Sequence, residues 1–397
     1  MADFSKVFLK PNREKSILRK HLWIFSGAVY GVSKELQDGE IVEVFSHDKQ
    51  YLATGHFQNG SICVRIFSFN KIDKEKINDF WKEAITNAIN RRKVLNLFDN
   101  PNTNSFRLIH GESDLMPGLI ADYYNEVVVL QAHSVGMLEL LPVLTEVLKD
   151  VLKEKLVAVY SKSGSTIKQT EDNDLKEGFL YGSADEITFT ENDMKFHLDL
   201  VKGQKTGFFL DQRDNRKILS EYCKGKSVLN VFGYTGAFSV AAFAGGASKV
   251  VTVDVSENAI EMANRNIELN FGKNVEHQGV VADAFEFLKN NEEKFDIVIL
   301  DPPAFAKHLD AKNNAMKAYR RLNAAGFNKL NRNGLLFTFS CSQVITKPDF
   351  FTAIYNAAGD SKKQTSIVHQ LHQAPDHPIN IFHPETEYLK GLVLLTD

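Results

Sequence analysis

Asp301-Pro302-Pro303-Ala304-Phe305 follows the apolar run Phe295 to Leu300, and about forty residues later Ser340-Cys341-Ser342 closes a second apolar run, Gly334 to Phe339. Each run reads as a buried parallel strand that ends abruptly in polar residues, and in open α/β sheets reacting ligands sit at such strand ends. One end offers a carboxyl group on a proline-stiffened turn, able to give or take a proton. The other offers a thiol, which as thiolate is strongly nucleophilic and departs readily. An acid and a soft nucleophile at neighbouring strand tips form a candidate active centre. The chain's two other cysteines, Cys63 and Cys223, read as the buried fillers that free cysteines usually are.

A second constellation points to a bound nucleoside. The strand Ser227 to Val231 runs into Phe232-Gly233-Tyr234-Thr235-Gly236-Ala237-Phe238-Ser239, where glycine allows a tight turn and close approach of a ligand. A strand ending in Asp254 follows about twenty residues after Gly233, which suits a carboxylate accepting ribose hydroxyls. Asp283, in Val281-Ala282-Asp283-Ala284-Phe285, ends the next strand, within reach of an adenine amino group. Each acid alone is as well explained by a helix cap; three at successive strand tips are not. The loop has Gly233 and Gly236 but neither the G-x-G-x-x-G that seats a pyrophosphate nor a Walker-type lysine. A cofactor with adenosine and no phosphates fits, and S-adenosylmethionine is the common one.

The elements that position these groups fall into three textures. Residues 1–73 alternate as short strands, Ile41–Phe45, Leu52–Phe57 and Cys63–Phe67, behind a basic entry of Arg13, Lys15, Arg19, Lys20 and His21. On a small β domain that cluster is a plausible phosphate-contacting patch. Residues 74–190 read as an α+β middle domain: an amphipathic helix over 74–97 with Ile77, Phe80, Trp81, Ala84, Ile85 and Ile89 on one face, a helix over 138–152, and strands around them. The stretch 167–181 is charged and reads as irregular. From about 191 to 397, strands at 227–231, 249–253, 275–281, 297–300, 335–339, 366–371 and 388–395 alternate with helices, the signature of a doubly wound sheet. The last two lack an intervening helix, so an antiparallel hairpin is expected at one edge.

Composition bounds the rest. The chain has 397 residues, net charge -3 and 43% hydrophobic residues, ordinary for a soluble globular protein and against indiscriminate coating of nucleic acid. No membrane span or signal peptide is read, and three scattered cysteines suit a reducing compartment, so a cytoplasmic protein is expected. His369, His372, His377 and His383 complete no zinc pattern, and no metal is expected.

Asn230 to Gly236, Asp254, Asp283, Asp301-Pro302-Pro303 and Ser340-Cys341-Ser342 resemble, in order and spacing, the class I S-adenosylmethionine-dependent methyltransferase motifs. Lys205-Thr206-Gly207-Phe208-Phe209-Leu210-Asp211-Gln212-Arg213 resembles the segment preceding that domain in the PUA-domain-linked cytosine-C5 methyltransferases of large-subunit ribosomal RNA. Asn12 to Ser16, His21 to Ala28, Asp376-His377-Pro378 and Tyr388-Leu389-Lys390-Gly391 extend the likeness over nearly the whole chain. The resemblance implies a Rossmann-like methyltransferase sheet preceded by a small β (PUA-like) domain and an α+β middle domain. It implies ribosomal RNA as partner, Cys341 as nucleophile and Asp301 at the base edge. Gln212, Phe232, Gly233, Gly236, Asp254, Asp283 and Asp301 would lie about the cofactor, and Arg13, Lys15, Arg19, Lys20, Phe305 and Arg320 against RNA. Phe305 is equally suited to packing under its loop, and Arg320 to a solvated helix face. Many RNA cytosine-C5 enzymes carry a second cysteine after the two prolines; Ala304 stands there in this chain. Two other readings stay open: methylation of a base nitrogen without a covalent adduct, and a non-enzymatic RNA-binding module. A homodimer through the middle domain is a further expectation.

Overall fold

The computed structural model describes residues 4–167 and 175–397. The chain forms two compact units, one comprising the residues up to Phe189 with Leu198–Phe208 and Pro375–Thr386, the other Thr190–His197, Phe209–Ala374 and Glu387–Asp397.

The first unit holds two sheets. Six strands, Ser5–Leu9, Trp23–Phe25, Val29–Val32, Ile41–Phe45, Tyr51–Phe57 and Ile62–Ser68, form the N-terminal sheet. Their alternation sends Val7, Val42, Val44, Ala53, Val64 and Ile66 into one core. The second sheet joins Ser105–His110, Leu119–Tyr124, Val127–Ala132, Ala158–Lys162 and Glu177–Tyr181. The helices Ile77–Val94 and Val135–Leu152 share its core through Trp81, Ile85 and Ile89 and through Leu138, Leu141 and Leu148. The strand Glu177–Tyr181 corrects the irregular reading of 167–181, of which 168–174 lies outside the described residues. It is an edge strand whose burial alternates, but its exposed positions include Phe179 and Tyr181, so polarity does not follow burial and no alternation marks it in the sequence.

The second unit is a seven-stranded sheet: β1 (Ser227–Val231), β2 (Lys249–Asp254), β3 (His277–Val281), β4 (Phe295–Leu300), β5 (Leu330–Ser340), β6 (Thr365–Leu371) and β7 (Lys390–Thr396). Its order is β3-β2-β1-β4-β5-β7-β6, the first five strands parallel and β7 antiparallel to both of its neighbours. The helices are α1 (Ala237–Ala244), α2 (Glu257–Phe271), α3 (Ala284–Asn290), α4 (Lys312–Asn328) and α5 (Lys347–Asp360). Central strands are largely apolar because helices cover both faces; Val228, Leu229, Val231 and the run Ile297 to Leu300 are all buried, with Asn230 and Thr252 the polar exceptions taken up below. The expected hairpin of the last two strands is present, but its second strand is inserted beside β5 and its first forms the edge. The order reverses direction about β1, so the loops after β1, β2, β4 and β5 meet at one end of the sheet, where ligands bind in such folds.

Candidate active site

The loop after β1 is built for close approach. Phe232, Tyr234 and Gly236 all have positive φ, at 61°, 44° and 76°. Two non-glycine residues in that region mark stored strain of the kind concentrated at ligand sites. A Cβ on Gly233 would stand 2.4 Å from Thr252 Cγ2, and one on Gly236 2.7 Å from Ala263 Cβ, so larger side chains are excluded at both. Beneath the loop a buried polar chain fixes its height: Asn230 Nδ2 donates to Ser239 Oγ at 2.9 Å, the Ser239 and Thr252 hydroxyls lie 2.7 Å apart, and Thr252 meets His277 Nε2 at 2.8 Å. Desolvation pulls the His277 imidazole down to about 4, so it sits there neutral.

At the tip of β2, Asp254 is half-buried. Its Oδ2 accepts the Tyr234 N–H at 2.9 Å and its Oδ1 the Ser256 N–H at 2.9 Å, which locks the carboxylate beside the loop. Asp283 is exposed and caps α3, accepting the N–H groups of Phe285 at 2.9 Å and Glu286 at 3.1 Å through Oδ1. Phe232 is half-buried against the sheet core.

Asp301 follows β4 and Cys341 follows β5; the strands are paired parallel, with Leu300 opposite Thr338. The two loops therefore lie side by side, and Cys341 Sγ stands 4.0 Å from the Pro302 carbonyl oxygen. Cys341 is partly exposed, whereas Cys63 and Cys223 are buried, with Sγ against the Ile24 carbonyl at 3.3 Å and the Leu219 carbonyl at 3.2 Å. Desolvation pushes those two thiols up to about 11 and about 12, so neither ionises near neutrality. Gln212 joins Asp301: its Nε2 donates to Asp301 Oδ2 at 3.0 Å while its Oε1 accepts from Asn215 Nδ2 at 2.6 Å, which fixes the amide's orientation and the carboxylate's.

Two residues around the thiol are not among the site residues expected from the sequence. Tyr319 of α4 is fully buried, accepts the Ser340 hydroxyl proton at 2.9 Å and packs its ring 4.8 Å from that of Phe305. Burial and the nearby Cys341 and Asp301 charges push its phenol up to about 12. Lys390 opens β7 opposite Ser340 and is 7% exposed. Its Nζ donates to the Ser342 carbonyl at 2.6 Å and the Ile345 carbonyl at 2.9 Å, so it ties down the loop carrying the thiol. Desolvation draws its ammonium down to about 8, against the pull of negative charge at Cys341 and Glu387. Only the antiparallel insertion of β7 brings this lysine to the site; a lysine inside the Tyr388-to-Gly391 run is the one signal of it in the sequence.

Of the residues expected against RNA, Phe305 is half-buried on Tyr319. Arg320 is exposed and held bidentate by Asp360 at 2.6 Å for both contacts. In the first unit Arg13, Lys15, Arg19 and Lys20 are all exposed and none is ion-paired among the described residues; Lys20 lies 4.2 Å over the Phe69 ring.

The cradle suits an adenosine sulfonium. Its loop offers glycines and no cation, and the strand tips around it present the carboxylates of Asp254, Asp283 and Asp301. Such a field repels a diphosphate and attracts a positive sulfur. A doubly wound sheet with this order and this phosphate-averse cradle defines a class I methyltransferase. Residues 106–388 match the S-adenosylmethionine-dependent methyltransferase family and residues 7–69 a PUA-like domain. The chain belongs to that methyltransferase family, and S-adenosylmethionine is its cofactor. It is 38% identical over 403 residues to the ribosomal RNA large subunit methyltransferase I of Shewanella denitrificans, covering 98% of each chain. With the protein of the same name from Aeromonas salmonicida it shares 36% identity over 395 residues, again 98% of each. Among solved structures it is similar to SMU.776, a methyltransferase complexed with SAH, with TM-score 0.84 and 24% identity over 98% of this chain and 99% of that one. A methyltransferase from Streptococcus mutans gives TM-score 0.83 at 24% identity over the same shares. At that identity the likeness is one of fold.

Proposed function

We propose that this enzyme methylates C5 of a cytosine in large-subunit ribosomal RNA through a covalent adduct at Cys341. The observation that carries the reading is a partly exposed thiol one residue beyond β5, beside an acid one residue beyond β4, in a methyltransferase sheet.

Cytosine C5 is a poor nucleophile until C6 is saturated. The Cys341 thiolate adds to C6 with its own electron pair, and the ring electrons pass toward N3 and C5. Asp301, held by Gln212, hydrogen-bonds or protonates the base edge at N3 and relieves the charge that develops there; proton transfer of this kind contributes about a hundred- to ten-thousandfold. Bound S-adenosylmethionine supplies the electrophilic methyl group that C5 takes up. The S–CH₃ bonding pair would leave with S-adenosylhomocysteine; loss of the C5 proton to water then re-forms the double bond as the C6–S bond breaks, the thiolate returns, and N3 gives its proton back to Asp301. Lys390 keeps the Ser340–Ile345 turn fixed through both carbonyl bonds, so the sulfur meets C6 without rearrangement. Asp254 would accept the ribose hydroxyls, Gly233 and Gly236 would let the backbone approach the cofactor, and Phe232 and Asp283 would hold its adenine end. The exposed cations Arg13, Lys15, Arg19 and Lys20 give the PUA-like domain a face for RNA phosphates, and a cytoplasmic location is consistent with action on ribosomal RNA. Among the described residues no helix is long and apolar enough to cross a membrane.

The test is RNA carrying 5-fluorocytidine, whose C5 cannot lose a proton and which therefore traps the adduct. A crosslink that needs both S-adenosylmethionine and Cys341 is expected, with 5-methylcytidine as the nucleoside formed from ordinary RNA. Full methylation by Cys341→Ala protein, or an N-methylated base as product, would overturn the reading.

A further inference from the structure

His383 lies in the first unit and is fully buried, yet neither of its ring nitrogens has a hydrogen-bond partner. A buried imidazole without partners is unfavourable unless something else takes its lone pair. Two other donors face the same space. His21 Nε2 is 3.4 Å from Glu385 Oε1, and His383 Nε2 is 3.7 Å from Glu385 Oε2. One ligand atom from each of the three residues lies within 4.8 Å of the others. Zinc bonds to nitrogen and oxygen of about 2.0–2.1 Å put neighbouring tetrahedral ligands roughly 3.3 Å apart. Both imidazole-to-carboxylate gaps are thus close to coordination spacing, through the two different oxygens of Glu385, and the remaining His21–His383 gap, at most 4.8 Å, closes by a small turn of the His21 ring.

We propose that His21, His383 and Glu385 form a binding site for one divalent cation of borderline softness, Zn²⁺ in type, distinct from the methyl-transfer site. The donor set, two imidazoles and a carboxylate, is one that such cations favour over magnesium or calcium. The surroundings are organised for it. His21 Nδ1 lies 3.3 Å from both the Trp23 N–H and the Trp23 carbonyl; with the ion absent Nε2–H faces Glu385, and when the ion binds the proton moves to Nδ1, where the carbonyl accepts it and the Nε2 lone pair faces the cluster. The Trp23 ring stands edge-on to His383 at 4.5 Å, and its Nε1 donates to Glu112 Oε1 at 2.9 Å. The backbone around His383 is pinned independently of any ion, by Arg92 Nη2 on the Asp376 carbonyl at 3.0 Å, Ser113 Oγ on the Pro378 carbonyl at 2.6 Å and Asn380 Nδ2 on the Glu112 carbonyl at 3.1 Å. His21 and Glu385 keep partial exposure, which gives the cation a way in. The sequence does not show the site because His21 stands far from the histidine-rich tail, and the tail histidines by themselves complete no donor set. Bound there, the cation clips residues 375–386 to the N-terminal sheet of the same unit.

The full chain, stripped with a chelator and dialysed, is titrated with Zn²⁺ by calorimetry. Co²⁺ serves as an optical probe, and Trp23, one of only two tryptophans, as a fluorescence reporter. One Zn²⁺ per chain is expected, with affinity lowered at least a hundredfold in His383→Phe, which keeps a ring against Trp23, and in Glu385→Gln. A rise in melting temperature with Zn²⁺ is expected in the parent protein and in neither variant. Failure of the parent protein to bind Zn²⁺, or undiminished binding in Glu385→Gln, overturns the proposal even if His383→Phe folds poorly.

Discussion

Replacing Asp254 with asparagine probes the cofactor cradle at its acid. Each carboxylate oxygen already takes one backbone N–H, from Tyr234 and from Ser256, both at 2.9 Å. The lone pairs left over on this half-buried side chain are the ones available to a ribose diol. An asparagine amide has a single accepting oxygen, and its NH₂ group donates only. Whichever way it turns, the NH₂ confronts a backbone N–H that has lost its acceptor, and one ribose hydroxyl loses a charged partner. A hydrogen bond to a charged group is worth about 1.5–3 kcal/mol. At 1.4 kcal/mol per factor of ten, affinity for S-adenosylhomocysteine falls roughly 10- to 150-fold. Calorimetric titration of Asp254→Asn against the parent protein reads this directly, with far-ultraviolet circular dichroism melts to establish that the variant is folded. Undiminished affinity in a folded Asp254→Asn protein would refute the placement of ribose at β2.

The other tests use different readouts. Glu191 and Arg216 form a buried bidentate pair, Nε to Oε1 at 2.6 Å and Nη2 to Oε2 at 2.7 Å, and removal of one partner of such a pair costs about 3–5 kcal/mol. Glu191→Gln should lose that much in urea denaturation; a loss below about 1 kcal/mol would mean the guanidinium finds water. The lowered pKa of Lys390, about 8 against an ordinary 10.5, makes the folded state bind fewer protons there than the unfolded chain between those values. Its unfavourable contribution is full below about pH 8 and is relieved as pH rises toward 10.5. The stability of the parent protein relative to Lys390→Met should therefore increase between about pH 8 and pH 10, and a parallel pH course for both proteins would remove the strain assigned to that ammonium. Neutralising Arg13, Lys15, Arg19 and Lys20 together should flatten the dependence of log RNA affinity on log salt by about 0.7–0.9 for each phosphate that is no longer neutralised. An unchanged slope would move the RNA surface elsewhere.

Local pattern determined a great deal about this protein. Apolar runs that end in Asp254, Asp301 and Cys341 are local facts, and a strand buried on both faces must surface where such a run stops; the structure has those residues at or just beyond the tips of β2, β4 and β5. The glycines after β1 are equally local, because the backbone turn that needs them is made within a few residues. The edge strand Glu177–Tyr181 leaves no such mark because its exposed face carries Phe179 and Tyr181, so its alternating burial is not matched by alternating polarity.

Tertiary structure alone decided which side chains serve those tips. The resemblance put Gln212 about the cofactor, but its bond to Asp301 is a tertiary fact; Lys390 comes under the thiol loop because β7 is inserted between β5 and β6; and, away from those tips, His21 meets His383 and Glu385 from the other end of the chain. Each of these meetings joins residues dozens to hundreds of positions apart. Their side chains are fixed by packing and desolvation in the folded state, and neither leaves a periodic trace along the chain.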